Sequence, residues 1–202
     1  MKQGGMVSNY TTEQFKPQKD NCNESNVKNV LNRQFKEQAY RNVVVSDLTY
    51  VRVGLKWNYV CVLVDLFNRE IIGYSAGEHK SAELVKQALG NAIGRSGVAE
   101  GLVFHSDRRS QYASRGYQKM LAEHGIKGSM SKPGCPYDNA SMESFFATLK
   151  KERIYRREYV TMEEVKADMF RYIELFYNRK RLHSVLGCSV EYRLKYDGSK
   201  VA

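Results

Sequence analysis

Cysteine, long apolar runs and acidic residues are all in short supply in this sequence, and each shortage removes a class of protein. The four cysteines, Cys22, Cys61, Cys135 and Cys188, lie far apart, with no Cys-x-x-Cys pair and no histidine at zinc-ligand spacing. Neither a zinc site nor a disulfide framework is suggested, and reduced, incidental thiols fit better. No stretch approaches the ~18 apolar residues of a membrane span. The opening Met1-Lys2-Gln3-Gly4-Gly5 lacks the apolar core of a signal peptide, so a cytoplasmic protein without a membrane partner is expected. Internal repeats and low-complexity tracts are also absent, and 202 residues suffice for one good core. Acidic residues number 22 against 32 Lys and Arg, a formal charge of +10. Such a field favours polyanions, nucleic acid first among them. Solvated basic faces give the same composition, so the decision falls to the chemistry of particular residues.

Residues 1–38 are polar and Asn-rich with little apolar periodicity, and read as an extended or partly ordered linker. From Asn42 the character changes. Val43 to Val51 is rich in β-branched and aromatic residues, a turn near Gly54 leads to a second such run from Trp57 to Val64, and Asn68-Arg69 supports a tight reversal into a third from Glu70 to Ser75. A three-stranded antiparallel meander is predicted. Ser81 is placed to cap a helix to about Arg95, and a strand from Leu102 to His105, a helix from Ser114 to His124 and a strand near Ile126 to Ser129 follow. This alternation is that of parallel units. After the breaker run Lys132 to Pro136, Asp138 or Asn139 is placed to cap a helix to about Tyr155. Thr161-Met162-Glu163-Glu164 is a capping box opening a last long helix to about Asn178.

Three carboxylates stand out within these elements. Aspartate is depleted in strands, yet Asp47 is central in the first one, between Val45 and Thr49 on its own face. Asp107 closes the fourth strand at its C-terminal end, where α/β sheets carry their ligands. Glu143 lies in the first turns of a helix whose apolar stripe is Met142, Phe145, Phe146 and Leu149, so it projects beside that stripe. Convergence of the three would suit two hard divalent cations, which need anionic oxygens and together clamp the attacking and leaving oxygens of a displacement at phosphorus. Each residue alone also has an ordinary reading: Asp107 as a turn cap, Glu143 as a first-turn dipole partner, Asp47 as a strand-end polar group. Asp65 also falls in a β run but precedes the Asn68-Arg69 reversal and reads as a hairpin residue.

The segments Ser46-Asp47-Leu48-Thr49-Tyr50, His105-Ser106-Asp107-Arg108, Tyr137-Asp138-Asn139-Ala140-Ser141-Met142-Glu143-Ser144-Phe145-Phe146 with Leu149-Lys150, and Tyr177-Asn178-Arg179-Lys180-Arg181-Leu182-His183-Ser184 closely resemble the OrfB transposases of bacterial copy-and-paste insertion sequences. Thirty-five residues separate Asp107 from Glu143, the spacing of that family and of retroviral integrases. The resemblance runs from about Leu31 to Gly187. It implies an α/β, ribonuclease-H-like fold: a mixed five-stranded sheet, three antiparallel strands and then parallel ones, flanked by helices. The catalytic core would occupy residues 39–195 with a helical C-terminal extension, downstream of a helix-turn-helix region missing from this sequence. The implied activity is that of an Asp-Asp-Glu transposase: cleavage of one strand at each element end, then attack of the freed 3′ hydroxyl on another phosphodiester. Asp47, Asp107 and Glu143 would be both catalytic residues and ligands of two Mg2+ or Mn2+ ions. The implied partners are DNA, as transposon ends and target, and further copies of the chain, at a nucleoid-associated place in a bacterial cytoplasm.

Lys150 lies seven residues after Glu143, about 10 Å further along the same helix, and is assigned to a DNA phosphate beside the metals; an exposed helix lysine is its bland alternative. Arg179, Lys180 and Arg181 form a basic cluster that suits either DNA backbone or water. His105 reads as a structural strand residue, and His183 as a cap on a helix end. The chain departs from the family pattern at Arg109, where Gly is usual and a positive φ is expected, at Val44 in place of a frequent Trp, and after Leu186-Gly187, where the usual Tyr and Ser-Pro are missing. Two other functions fit parts of the pattern: a catalytically silent DNA-binding fragment that regulates full-length transposase, and a ribonuclease H or junction nuclease of the same fold.

Overall fold

The computed structural model describes residues 27–35, 38–97, 99, 101–133, 135–184 and 186–197. Three long strands, β1 (Val43–Val53), β2 (Lys56–Asp65) and β3 (Ile71–Gly77), form the expected meander. The helix α1 (Ala82–Ser96) follows, capped by Ser81, whose hydroxyl accepts from the Leu84 N–H. Next come β4 (Val103–Ser106), the short α2 (Ser110–Ala113), α3 (Arg115–Glu123) and β5 (Lys127–Met130). The sheet order is β3-β2-β1-β4-β5, with β1 antiparallel to β2 and parallel to β4, and β4 parallel to β5. This is the mixed, ribonuclease-H-like sheet that the resemblance implies.

Alternation along β1 makes two cores. Val43, Val45 and Val51 face one way, onto α4 (Ala140–Glu152) and α5 (Met162–Phe170), where Met142, Phe145, Phe146, Leu149, Val165 and Met169 are buried. Val44 and Leu48 face the other way, with Leu84, Val85, Leu89, Tyr117 and Leu121 of α1 and α3. On that side β3 and α1 approach closely at Gly73, where a Cβ would stand 2.5 Å from the Ala88 carbonyl oxygen and 2.7 Å from the Ala92 Cβ. Only glycine lets the helix rest this near the sheet.

The capping box forms as predicted, the Thr161 hydroxyl accepting from Glu164 N–H and the Glu164 carboxylate from Thr161 N–H. The last helix does not continue as α. It becomes a π-helix over Arg171–Tyr177, and Asn178 just beyond it is buried, giving its Nδ2 to the Ile71 carbonyl and taking the Ile71 N–H on Oδ1, both at 2.9 Å. That side chain ties the helix end to β3. A short ribbon, β6 (Leu182–His183) with β7 (Cys188–Ser189), and α6 (Val190–Asp197) complete the described chain.

Of the polar N-terminal stretch, residues 27–35 lie against the core. Leu31 is buried, the Val30 and Leu31 N–H groups donate to the Ser129 hydroxyl, and Arg33 pairs with Asp138. The linker reading of residues 1–26 lies outside the described residues. No helix among the described residues is long and apolar enough to cross a membrane.

Candidate active site

The parallel register of β1 and β4 brings the first two acids together. Val43 pairs with Val103 and Ser46 with Ser106, so the next residues, Asp47 within β1 and Asp107 just past the end of β4, stand side by side at the same level; parallel strands lie about 4.8 Å apart. One guanidinium reaches both carboxylates. Arg109 Nη1 lies 3.0 Å from Asp47 Oδ1 and Nε 2.8 Å from Asp107 Oδ2, while the Arg109 N–H donates to Asp107 Oδ1 at 3.2 Å. The backbone at Arg109 is ordinary extended chain, φ −70° and ψ 149°, so the positive φ expected there is absent. With a left-handed turn not required, a side chain at this position carries no backbone strain.

Asp47 is buried, and its surroundings are built for an acid that is costly to ionise. Burial, and then the charge of Asp107, raise its pKa to about 7, against the opposing pull of Arg109 and of the Leu48 N–H, which donates to Oδ1 at 2.7 Å. The other oxygen, Oδ2, accepts from Asn139 Nδ2 at 3.0 Å. Asn139 is itself buried, and its Oδ1 has no hydrogen-bond partner. Neither Asn139 nor Asp138 caps α4 as predicted. The Asn139 side chain makes no cap bond and turns to Asp47, whereas Asp138 accepts from Arg33, Asn29 and the Lys132 N–H. Burial works to raise the Asp138 pKa, but these donors outweigh it and hold the carboxyl below its ordinary range. Tertiary acceptors and donors outcompeted the local cap.

His105 is the structural residue the sequence suggested. Its Nε2 reaches the Asp138 carbonyl at 3.1 Å, which makes Nε2 the protonated nitrogen, and Nδ1 takes the Ser129 hydroxyl at 2.9 Å. Burial lowers its pKa and keeps it neutral. Behind Asp47, on the opposite face of β1, Ser46 bonds the Tyr112 hydroxyl at 2.9 Å, and burial pushes the neighbouring Cys61 thiol up to about 12. Asp65 is the hairpin residue expected, accepting from the Phe67 and Arg41 N–H groups.

Glu143 is in the first turn of α4, exposed, and near enough for its charge to add to the rise in the Asp47 pKa. Among the described residues, however, no three His, Cys, Asp or Glu side chains lie close enough to hold a metal ion jointly. The structure pairs Asp47 with Asp107 and leaves Glu143 as the outlying acid. The donors still suit a hard cation such as Mg2+: two adjacent carboxylates, and a partnerless amide oxygen on the residue that contacts one of them. Lys150 sits two turns further along α4 with Nζ 3.9 Å from the centroid of the Tyr50 ring. Burial lowers its pKa, and Asp47 partly offsets this. Arg179 and Lys180 are exposed, but Arg181 is engaged with Glu152 through Nε and Nη2 at 2.8 to 3.1 Å. His183 packs edge-on against Tyr177 at the end of the π-helix, ring centroids 4.7 Å apart.

A family model described as "Integrase core domain" matches residues 23–136, and a second model with that description matches residues 124–189. This chain belongs to the integrase core domain family. The integrase core is 40% identical over 158 residues to the transposase for insertion sequence element IS904 of Lactococcus lactis, covering 78% of this chain and 62% of that protein. It is also 40% identical over 159 residues to transposase InsF for insertion sequence IS3A of Escherichia coli, covering 79% and 55%. The chain thus spans a little over half the length of these relatives. In fold, the core resembles the HTLV-2 integrase catalytic core domain solved in complex with magnesium (TM-score 0.56, 14% identity, 75% of this chain and 95% of that one). It resembles equally the catalytic domain of Mos1 mariner transposase (TM-score 0.55, 18% identity, 67% and 71%). A simian T-cell lymphotropic virus intasome chain superposes over 90% of this chain and 60% of its own with TM-score 0.64 at 14% identity.

Proposed function

We propose that this integrase core is the catalytic unit of an insertion-sequence transposase, cutting transposon ends and joining them to target DNA. The observation that carries the reading is the pair of adjacent carboxylates, Asp47 and Asp107, set side by side by the register of β1 with β4, with Asp47 so buried beside the second acid that its pKa is raised even against the Arg109 guanidinium. Asp47 and Asp107 hold divalent metal, Mg2+ or Mn2+, with two ions per site, and Glu143 completes the donor set by moving in from the first turn of α4. Ions held there supply Lewis acidity at the scissile phosphodiester.

The chain's own residues do the rest. Asn139 fixes one oxygen of Asp47 and so orients that carboxylate. Lys150, desolvated against Tyr50, offers its ammonium to a phosphate beside the acids, and the exposed Arg179 and Lys180 hold backbone further away. The charge of +10 draws DNA generally. The relatives' transposase names, and the intasome of the viral neighbour, support DNA ends and target as partners; the HTLV-2 integrase core solved in trimeric and dimeric forms supports an assembly of several copies, and a DNA partner in a bacterium would place that assembly at the nucleoid.

The test is Mn2+-dependent strand transfer with pre-cut ends, comparing the chain with Glu143→Gln. Loss of one member of a group that acts together costs on the order of 10³-fold or more in rate, while DNA affinity holds or rises as a negative charge is removed. Near-normal transfer by Glu143→Gln would refute the three-carboxylate assignment. DNA binding without transfer by the unaltered chain would instead favour the silent regulatory fragment, a reading to which the guanidinium between Asp47 and Asp107 lends support.

A further inference from the structure

Every oxygen of Asp47 already has a donor. Oδ1 takes the Leu48 N–H and Arg109 Nη1, and Oδ2 takes Asn139 Nδ2. On the Asp107 side, Oδ2 faces Arg109 Nε and Oδ1 the Arg109 N–H. A guanidinium is a permanent cation with planar donors suited to carboxylates. Placed between two acids, one of them buried, it supplies the positive charge that a divalent ion would supply there. Asp47 Oδ1, with two donors, has no lone pair left for an ion, and a divalent ion on the remaining lone pairs would stand beside the guanidinium's like charge, so the two compete. The Arg109 side chain is about one third exposed, so it stands at the mouth of the site with water on one side. Its backbone is unstrained extended chain at the start of α2, so rotation about its side-chain bonds is enough to carry the head group away.

We propose that Arg109 is a resident cation that competes with divalent metal for Asp47 and Asp107 and leaves them for a phosphate of bound DNA, so that metal and DNA load together. The proposal rests on the reading that these two acids hold metal. Free of DNA, the chain binds metal weakly, because an ion must first displace the guanidinium. A phosphodiester at the mouth gives Arg109 a second anionic partner, and bidentate Arg–phosphate pairing is as well matched as Arg–carboxylate. By linkage, whatever factor DNA adds to metal affinity, metal adds to DNA affinity.

The experiment is Mn2+ binding to the full chain, read from the paramagnetic resonance of the free ion, with and without a short DNA duplex. Asp107→Asn at the same DNA concentration measures the Mn2+ that the duplex itself takes up. In the unaltered chain the duplex should tighten the Asp107-dependent site by a factor within the ~5–150-fold range of ordinary coupling. Arg109→Ala should bind Mn2+ on the order of tenfold more tightly without DNA, and the duplex should then add little. Arg109→Lys, whose single ammonium lacks the fork that reaches both acids, should fall between. Thermal unfolding gives an independent readout: Arg109→Ala should melt lower than the unaltered chain in EDTA, and Mn2+ should raise its melting temperature by more. Mn2+ binding by Arg109→Ala no tighter than that of the unaltered chain, or tightened equally by DNA, would overturn the proposal while leaving the metal reading intact. Undiminished Mn2+ binding by Asp107→Asn would overturn both.

Discussion

Replacing Asp47 by Asn removes a buried charge while keeping the side chain's shape, and the structure fixes the direction of the effect. In the folded protein the Asp47 carboxyl titrates near 7 instead of its ordinary 3.8. Between these values the native state holds a proton that the unfolded chain releases, so the stability this group contributes at low pH is lost as pH rises from about 4 through about 7. At 1.36 kcal/mol per pH unit the whole rise corresponds to about 4 kcal/mol. The neutral amide escapes that cost. It keeps an oxygen for the Leu48 N–H, and its new N–H₂ meets an acceptor if the Asn139 amide flips, since Asn139 Oδ1 has no partner to lose. The pull of Arg109 on Asp47 is already contained in that raised pKa, and Arg109 keeps Asp107 as its partner in the variant. The expected result is a variant about 4 kcal/mol more stable than the unaltered chain at pH 8, with the advantage vanishing towards pH 4. Urea unfolding in EDTA from pH 4 to 8 measures it. Asp65, raised to about 6 by burial, is present in both proteins and cancels. A variant less stable at pH 8, or a stability profile parallel to that of the unaltered chain across the whole range, would refute the electrostatic account of the site.

Lys150→Ala should weaken duplex binding several-fold and lower the slope of log affinity against log salt by about one, while leaving thermal stability near unchanged; an unaltered slope would remove Lys150 from the DNA face. Gly73→Ala should lower the melting temperature, because its Cβ would meet backbone at the Ala88 carbonyl, and overpacking of this kind costs about 1–3 kcal/mol. A melting curve identical to that of the parent would show that α1 is not held against β3 as described.

Local pattern was enough to find the strands of the meander, the Ser81 and Thr161 caps and the apolar stripe of α4, because each depends on residues within a turn or a few positions of one another. It also marked Asp47 as out of place in a strand and Asp107 at a strand's end, since those judgements need only a residue and its neighbours. The resemblance then supplied the sheet order and the reason for the acids, which no periodicity contains. What remained hidden was the choice of partners. Arg109 meets Asp47 across 62 residues, Asn139 across 92, and Asn178 holds Ile71 across 107. In sequence Asp138 and Asn139 look like helix caps, and Arg109 like a misplaced residue in a tight turn. The parallel register of β1 with β4 puts two carboxylates side by side at low exposure, and that juxtaposition makes a distant amide and a guanidinium better partners for them than any local group. Secondary structure follows from short-range sterics and propensity; the electrostatics of the site follow from which strands lie next to each other, and that is decided only when the two cores close on the sheet.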